Sequence, residues 1–279
     1  MKIPFTKMHG LGNDFMVIDS TGEDLKLTSA NIKGLSDRKF GVGFDQLLLV
    51  ETASGNNVDF HYRIFNTDGS EVEHCGNGAR CFATYIHDKG LSDRNPLRVS
   101  TVNRTLTMTI HDDGEVSVDM GAPEFKPSMI PFLCDSRLSI YERSIKISGG
   151  ESIVSFSALS MGNPHAVICV EDLGQTAVKD IGEALGNHPD FTEGVNVGFM
   201  EILSRHEIRL RVFERGAGET LACGSGACAA VVAGRLLEKL DSKVKVRLPG
   251  GCLEVSWDQK NSVMMKGPTQ TVYEGIIEL

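Results

Sequence analysis

The chain has no basic run: 28 Lys and Arg against 37 Asp and Glu leave a formal charge of −9 over 279 residues. That argues against a nucleic-acid partner, whose electrostatic footprint is a Lys/Arg patch. No stretch approaches the roughly 18–20 apolar residues of a membrane span. The N-terminus, MKIPFTKMHGLGNDF, lacks the apolar core of about 7–15 residues that a secretory signal carries. These absences predict a soluble, cytoplasmic protein with neither a nucleic-acid nor a membrane partner. Cysteine is present, at 75, 81, 134, 169, 223, 228 and 252, but the count is odd and no C-x2-C spacing occurs. The odd count argues against a disulfide framework, and the missing knuckle spacing argues against zinc. What remains for cysteine is packing or thiol chemistry. A hydrophobic fraction of 41% supports a real core, and the length suffices for two domains.

Strand patterns dominate. Residues 58–65, VDFHYRIF, and 206–213, HEIRLRVF, alternate with a period of two. Hairpins are expected over 97–120, turning at Asp113-Gly114, and over 252–266, turning near Asp258 to Asn261. Helices are expected at about 30–40, 76–89, 176–187 and 224–239.

Two strand-to-helix joints resemble each other. FNTDGSEVEHCGNGARCFA begins at Phe65 and FERGAGETLACGSGACAAV at Phe213. They align without gaps at an offset of 148, the separation of Cys75 from Cys223. Phe65 then meets Phe213, Glu71 meets Glu219, Cys75-Gly76 meets Cys223-Gly224, and Gly78-Ala79 meets Gly226-Ala227. Upstream, Gly12-Asn13 echoes Gly162-Asn163. Such self-similarity predicts two αβ halves related by a pseudo-twofold axis.

In each joint a cysteine closes a glycine-containing turn and apolar residues follow at helical spacing: Ala79, Phe82, Ala83 and Ile86, then Ala227, Ala230, Val231 and Leu237. Each cysteine is therefore expected at a helix N-terminus, where open N–H groups and the helix dipole favour an anion. A thiol pKa of about 8.5 falls in such a place. Two such thiols on opposite faces of one carbon suit removal of a proton from one side and delivery to the other, a two-base racemisation or epimerisation. The helix ends offer N–H donors to a carboxylate beside the reacting carbon, where carbanion charge develops. Neither signature contains a Lys, so no pyridoxal Schiff base is implied, and no cofactor or metal is expected. Cys81, Cys134, Cys169, Cys228 and Cys252 are read as buried packing residues.

These joints resemble the two cysteine signatures of the diaminopimelate epimerase family. HGLGNDF near the start, GFDQ at 43–46, MGNPHAV at 161–167 and GVNVGF at 194–199 resemble the same family, in its order. Residues 124–155 match no motif. The resemblance implies an α+β fold of two pseudo-symmetric domains, each a curled, mostly antiparallel sheet around a central helix. The implied boundaries are 1–121 plus 266–279, carrying Cys75, and 122–265, carrying Cys223, with the active site in the cleft between them. Cys75 and Cys223 are then the alternating base and acid. Gly76, Asn77, Gly224 and Ser225 hold the reacting-centre carboxylate through their backbones. Asn13, Gln46, Asn66, Asn163, Asn196 and Arg215 bind the substrate. Glu214 faces an ammonium or steers a thiol proton, and His165 tunes a thiol pKa. The resemblance also implies a homodimer through the C-terminal strand, with Tyr273 as a contact. His74, beside Cys75, is expected to point away from it. Phe44 and Gly198 depart from the family pattern and are expected to reshape the edge of the cleft without removing a catalytic group. Three other readings stay open: a proline or hydroxyproline racemase, a relative that became an isomerase, and a small-molecule binding protein without turnover. Both cysteines are present, which disfavours the second.

Overall fold

A computed structural model describes all residues except Glu23, Asp24, Ser54, Asn56 and His74. The expectation for His74 therefore lies outside the described residues. The chain divides into two compact units, Met1–Asp119 with Lys266–Leu279, and Met120–Met265.

The first unit opens with β1 (Lys2–Gly10), paired antiparallel to β2 (Asn13–Asp19). Leu11 and Gly12 turn between them at φ 58° and 85°. Glycine takes this left-handed conformation without penalty, whereas Leu11 is held there with its side chain buried. α1 (Ser29–Ser36) follows, started by a capping box in which Thr28 and Asn31 bond each other's backbone N–H. β3 (Gln46–Thr52) runs parallel to β2 and antiparallel to β4 (Phe60–Asn66). β4 pairs with the short β5 (Glu71–Val72) and, in parallel, with β6 (Leu97–Ser100). Between β5 and β6 runs α2 (Gly76–Asp88). β7 (Thr105–Ile110) and β8 (Val116–Asp119) complete the sheet. The hairpin expected over 97–120 is thus a three-stranded meander, because a second turn falls at 101–104, where Thr101 N–H reaches Arg104 O.

The second unit repeats this plan. β9 (Tyr141–Ile147) pairs with the first half of β10 (Gly150–Ser160), and the second half of β10 pairs antiparallel with β11 (Pro164–Val170). α3 (Val178–Gly186) leads to β12 (Asn196–Ser204), parallel to β11 and antiparallel to β13 (Glu207–Glu214). β14 (Gly218–Thr220), α4 (Gly224–Leu236) and β15 (Lys243–Leu248) stand to β13 as β5, α2 and β6 stand to β4. β16 (Gly251–Ser256) pairs antiparallel with β15. The expected turn near Asp258 does form, with Asp258 Oδ1 accepting from the N–H groups of Lys260 and Asn261, but β16 makes its hairpin with the strand before it. β17 (Met264–Gly267) leads out of the unit, and β18 (Gln270–Glu278) lies antiparallel to β1.

Each sheet folds around one helix. α2 contacts β1, β2, β3, β7 and β8; α4 contacts β10, β11, β12, β13 and β16. Residues 77–83 and 226–234 are buried all round, so small side chains and glycine replace the amphipathic stripe of a surface helix. α1 and α3 cover second cores, built on Ile18, Ile32, Leu35, Phe44 and Leu47 in one unit and on Phe132, Phe156, Leu185 and Phe199 in the other. The two positions that depart from the family pattern are both buried. Phe44, at 1% exposure, is a core residue, and Gly198 is buried in mid-strand between β11 and β13. Phe44 packs with Ile32 and Leu35 of α1, and β12 runs through the sheet interior.

Two ion pairs record the duplication in detail. Arg63 grips Glu71 through Nε and Nη2 at 2.8 and 2.9 Å. Arg211, 148 residues on, grips Glu219 through the same atoms at 2.6 and 2.8 Å.

Candidate active site

The sequence-selected residues gather at corresponding strand ends in each unit. In the first, the Leu11-Gly12 turn delivers Asn13 at the start of β2, β3 opens with Gln46, and β4 ends with Asn66 directly opposite it in register. Cys75 is the N-cap of α2, with extended backbone, and its carbonyl accepts from Ala79 N–H at 2.8 Å. Its Sγ donates to Asn13 Oδ1 at 3.6 Å. The same oxygen accepts from Asn77 Nδ2 at 3.2 Å. Gln46 Nε2 donates to Asn66 Oδ1 at 3.1 Å.

Behind Asn13 lies a charged network that the sequence reading did not single out. Asn13 Nδ2 donates to Asp45 Oδ2 at 3.0 Å. Arg38 reaches both oxygens of Asp14 and Oδ1 of Asp45, and Lys7, itself buried, donates to Asp14 at 2.6 Å and to the Gly43 carbonyl. Burial alone would raise the Asp14 carboxyl; hydrogen bonds from Arg38 and Lys7 outweigh it and hold the group far below the usual carboxylate range. Asp14 in the HGLGNDF motif was the available signal, since a carboxylate on a strand that turns inward, here 16% exposed, needs cations.

In the second unit Cys223 is the N-cap of α4, and its carbonyl accepts from Ala227 N–H at 2.9 Å. Its thiol donates to Glu214 Oε2 at 3.0 Å, and Ser225 Oγ lies 3.7 Å from the sulfur. Thr220 Oγ1 donates to the other Glu214 oxygen. A Cβ at Gly226 would come within 3.2 Å of the sulfur, so glycine keeps this approach open. Burial first, and Glu214 second, push the Cys223 thiol well above its ordinary value, against the smaller opposing help of the Gly226 N–H and Ser225. The expectation that the helix end lowers the pKa is thus reversed at Cys223. Four per cent exposure removes the water that a thiolate needs, and a carboxylate stands where a cation would be required.

Asn196 opens β12, and its Oδ1 accepts from the Arg215 backbone N–H at 2.9 Å. Arg215 Nη1 donates to the Glu193 carbonyl, and its stem lies against Gly194, where a Cβ would fall 3.1 Å from Cδ. His165 is fully buried, and burial depresses its pKa to about 3. Its Nε2 lies 2.9 Å from Asn163 Oδ1, so the neutral ring donates there and orients that amide. A neutral ring brings no charge with which to tune a thiol. Gly76, Gly224 and Ser225 occupy the first helical turns beside their cysteines.

Of the cysteines read as packing residues, Cys81 and Cys228 are buried in α2 and α4. Cys169 and Cys252 are exposed, and Cys134 is intermediate. Strand alternation turns Cys252 outward beside buried Leu253 and Val255, and Cys134 sits in a loop with its Sγ toward Ser136 O.

The chain matches the family model described as diaminopimelate epimerase over residues 5–126 and 157–272. It belongs to the diaminopimelate epimerase family. A relative of that name from Nitrosomonas eutropha is 53% identical over 283 residues, covering 100% of both chains. Another from Cupriavidus pinatubonensis is 51% identical over 284 residues, covering 100% of this chain and 98% of that one. The internal stretch outside the family match, 127–156, contains β9 and most of the segment that carried no motif. Among solved structures, a hydroxyproline epimerase from Agrobacterium vitis superposes with a TM-score of 0.68 at 15% identity, covering 100% of this chain and 93% of that one. A PhzF-family phenazine biosynthesis protein from Bacillus anthracis also gives 0.68, at 16% identity and 100% coverage of both. At such identities the likeness shows a common α+β fold. No helix among the described residues is long and apolar enough to cross a membrane.

Proposed function

We propose that this chain interconverts LL-2,6-diaminopimelate and meso-diaminopimelate by moving one proton at one Cα between Cys75 and Cys223, without pyridoxal phosphate. The observation that carries the reading is the repeated N-cap cysteine, each thiol donating to a side-chain oxygen: Asn13 Oδ1 at Cys75 and the Glu214 carboxylate at Cys223. A two-base epimerase needs one thiol protonated while the other is not. Glu214 favours the protonated form of Cys223, so Cys223 is the acid in the direction in which Cys75 is the base. The Cα–H bond breaks toward the Cys75 sulfur, and the Cys223 S–H proton forms the new bond on the opposite face. The reverse reaction exchanges the roles.

Diaminopimelate carries two ammonium and two carboxylate groups, all of which a water-poor site must pair. Gly76, Asn77, Gly224 and Ser225 offer backbone N–H groups to the carboxylate beside the reacting carbon. Asn13, Gln46, Asn66, Asn163, Asn196 and Arg215 bind the substrate, largely at its distal end. The reading requires that both units bind one substrate molecule. It includes a cytoplasmic homodimer: β18 exposes Val272, Tyr273 and Ile276, the last at 69%, a surface suited to a second copy.

The test is incubation of reduced protein with LL-diaminopimelate in heavy water without cofactor, then with proline. Deuterium at one Cα with meso product, lost in Cys75→Ala and in Cys223→Ala, is expected. Exchange on proline alone would replace the substrate, and no exchange on either would leave a binding protein. Light scattering at micromolar concentration is expected to give the mass of two chains.

A further inference from the structure

The largest fully buried side chain among the described residues carries a guanidinium: Arg80, on α2, at 0% exposure. It lies one turn beyond Asn77, itself only 2% exposed, and its Nη2 donates to Asn77 Oδ1 at 3.0 Å. Gly10, the last residue of β1, makes room for this meeting, since a Cβ there would come within 3.1 Å of Arg80 Nη2 and 3.4 Å of the Asn77 side chain.

An amide side chain is nearly symmetric in shape, so its neighbours decide which end is the acceptor. A guanidinium only donates. Asn77 must therefore turn its oxygen to Arg80 and its NH2 to Asn13 Oδ1. Asn13 must then turn its own NH2 to the Asp45 carboxylate, which only accepts. The row runs from a cation to an anion, and every hydrogen bond in it points the same way. Reversing either amide would set donor against donor at one end and acceptor against acceptor at the other. The outcome is that Asn13 Oδ1 faces the Cys75 thiol. The other unit contains no equivalent: 148 residues on from Asn77 and Arg80 stand Ser225 and Cys228.

We infer that Arg80 is a positioning residue, fixing through Asn77 the orientation of Asn13 and so the group that meets Cys75 and the substrate. The inference rests on the epimerase reading for its kinetic consequence. The orientation of the amides is separate from that reading and is measured separately.

The experiment compares Arg80→Met, Arg80→Lys and Asn77→Asp with the wild-type protein, using diaminopimelate turnover and magnetic resonance of isotope-labelled asparagine side chains. Arg80→Met is expected to lower kcat/KM by about a hundredfold, as misplacement of a substrate-facing group does. The labelled side-chain signals of Asn13 and Asn77 should lose their protection from solvent exchange. Arg80→Lys, which still offers a donor to Asn77, should restore protection and recover about tenfold of the loss. Asn77→Asp can still accept from Arg80, now as an ion pair, but cannot donate to Asn13, so it should stay folded by circular dichroism and lose activity, which covers the case in which Arg80→Met fails to fold. Wild-type kcat/KM and unchanged Asn13 signals in Asn77→Asp, or Arg80→Lys no better than Arg80→Met, would overturn the inference. A wild-type protein inactive on diaminopimelate would end the epimerase reading, and the amide signals alone would then decide the role of Arg80.

Discussion

The Cys223 thiol donates to the Glu214 carboxylate across 3.0 Å, so a group placed to be an acid is kept protonated by a neighbour that repels its anion. Glu214→Gln removes that charge while keeping a hydrogen-bond acceptor. The Cys223 pKa should fall, seen as an earlier rise of thiolate absorbance with pH in a Cys75→Ala background. kcat/KM should drop by about a hundredfold or more if this proton is the one transferred. A titration midpoint that stays put would rule out the carboxylate as its cause.

Burial pushes the Cys81 thiol from 9.0 to about 12, with Arg80 opposing in part. A raised thiol pKa stabilises the fold at low pH, and that stability is lost as pH climbs from the unfolded value, near 9.0, to the folded one, about 12. In reductant, the unfolding free energy of the wild type should fall more steeply over that window than that of Cys81→Ala, by up to about 1.4 kcal/mol per pH unit. Parallel slopes would refute the assignment.

His165 has the opposite sign. Its imidazole is held neutral, from an ordinary 6.5 down to about 3, so the unfolded chain binds the extra proton first. Its stabilising contribution is whole above pH 6.5 and is lost as pH falls toward about 3. His165→Gln, which keeps a donor for Asn163, should flatten the acid side of the stability curve over that range. A variant that follows the wild-type curve in urea titrations would show that the ring protonates in place.

Gly78, on α2, faces the buried Tyr62 hydroxyl so closely that a Cβ would collide with its oxygen, and that oxygen has no hydrogen-bond partner among the described residues. Gly78→Ala should cost about 1–3 kcal/mol despite the better helix propensity of alanine. Tyr62→Phe should be close to neutral alone and should relieve much of the Gly78→Ala cost in the double variant. Strict additivity in denaturant melts would place the strain elsewhere.

The sequence by itself determined the repeat, the four helices within a few residues, and the N-cap positions of Cys75 and Cys223. These depend on local order: glycine at the joint, apolar spacing after it, and a register shared across 148 residues. The candidate residues were legible because they sit beside those joints or at strand starts. Only the tertiary structure decided their electrostatics. That Cys223 is raised, that His165 is neutral, and that Arg80 orients Asn77 and Asn13 all follow from burial and from partners far away in sequence, such as Asp45 beside Asn13. The exposure of Cys169 and Cys252, and the burial of Phe44, were likewise set by which face of a strand or helix met a core. Spacing states which side chains share a face, but the charge a group carries depends on how much water it loses and on what stands within a few ångströms. That is fixed only when the strands have closed around the helix.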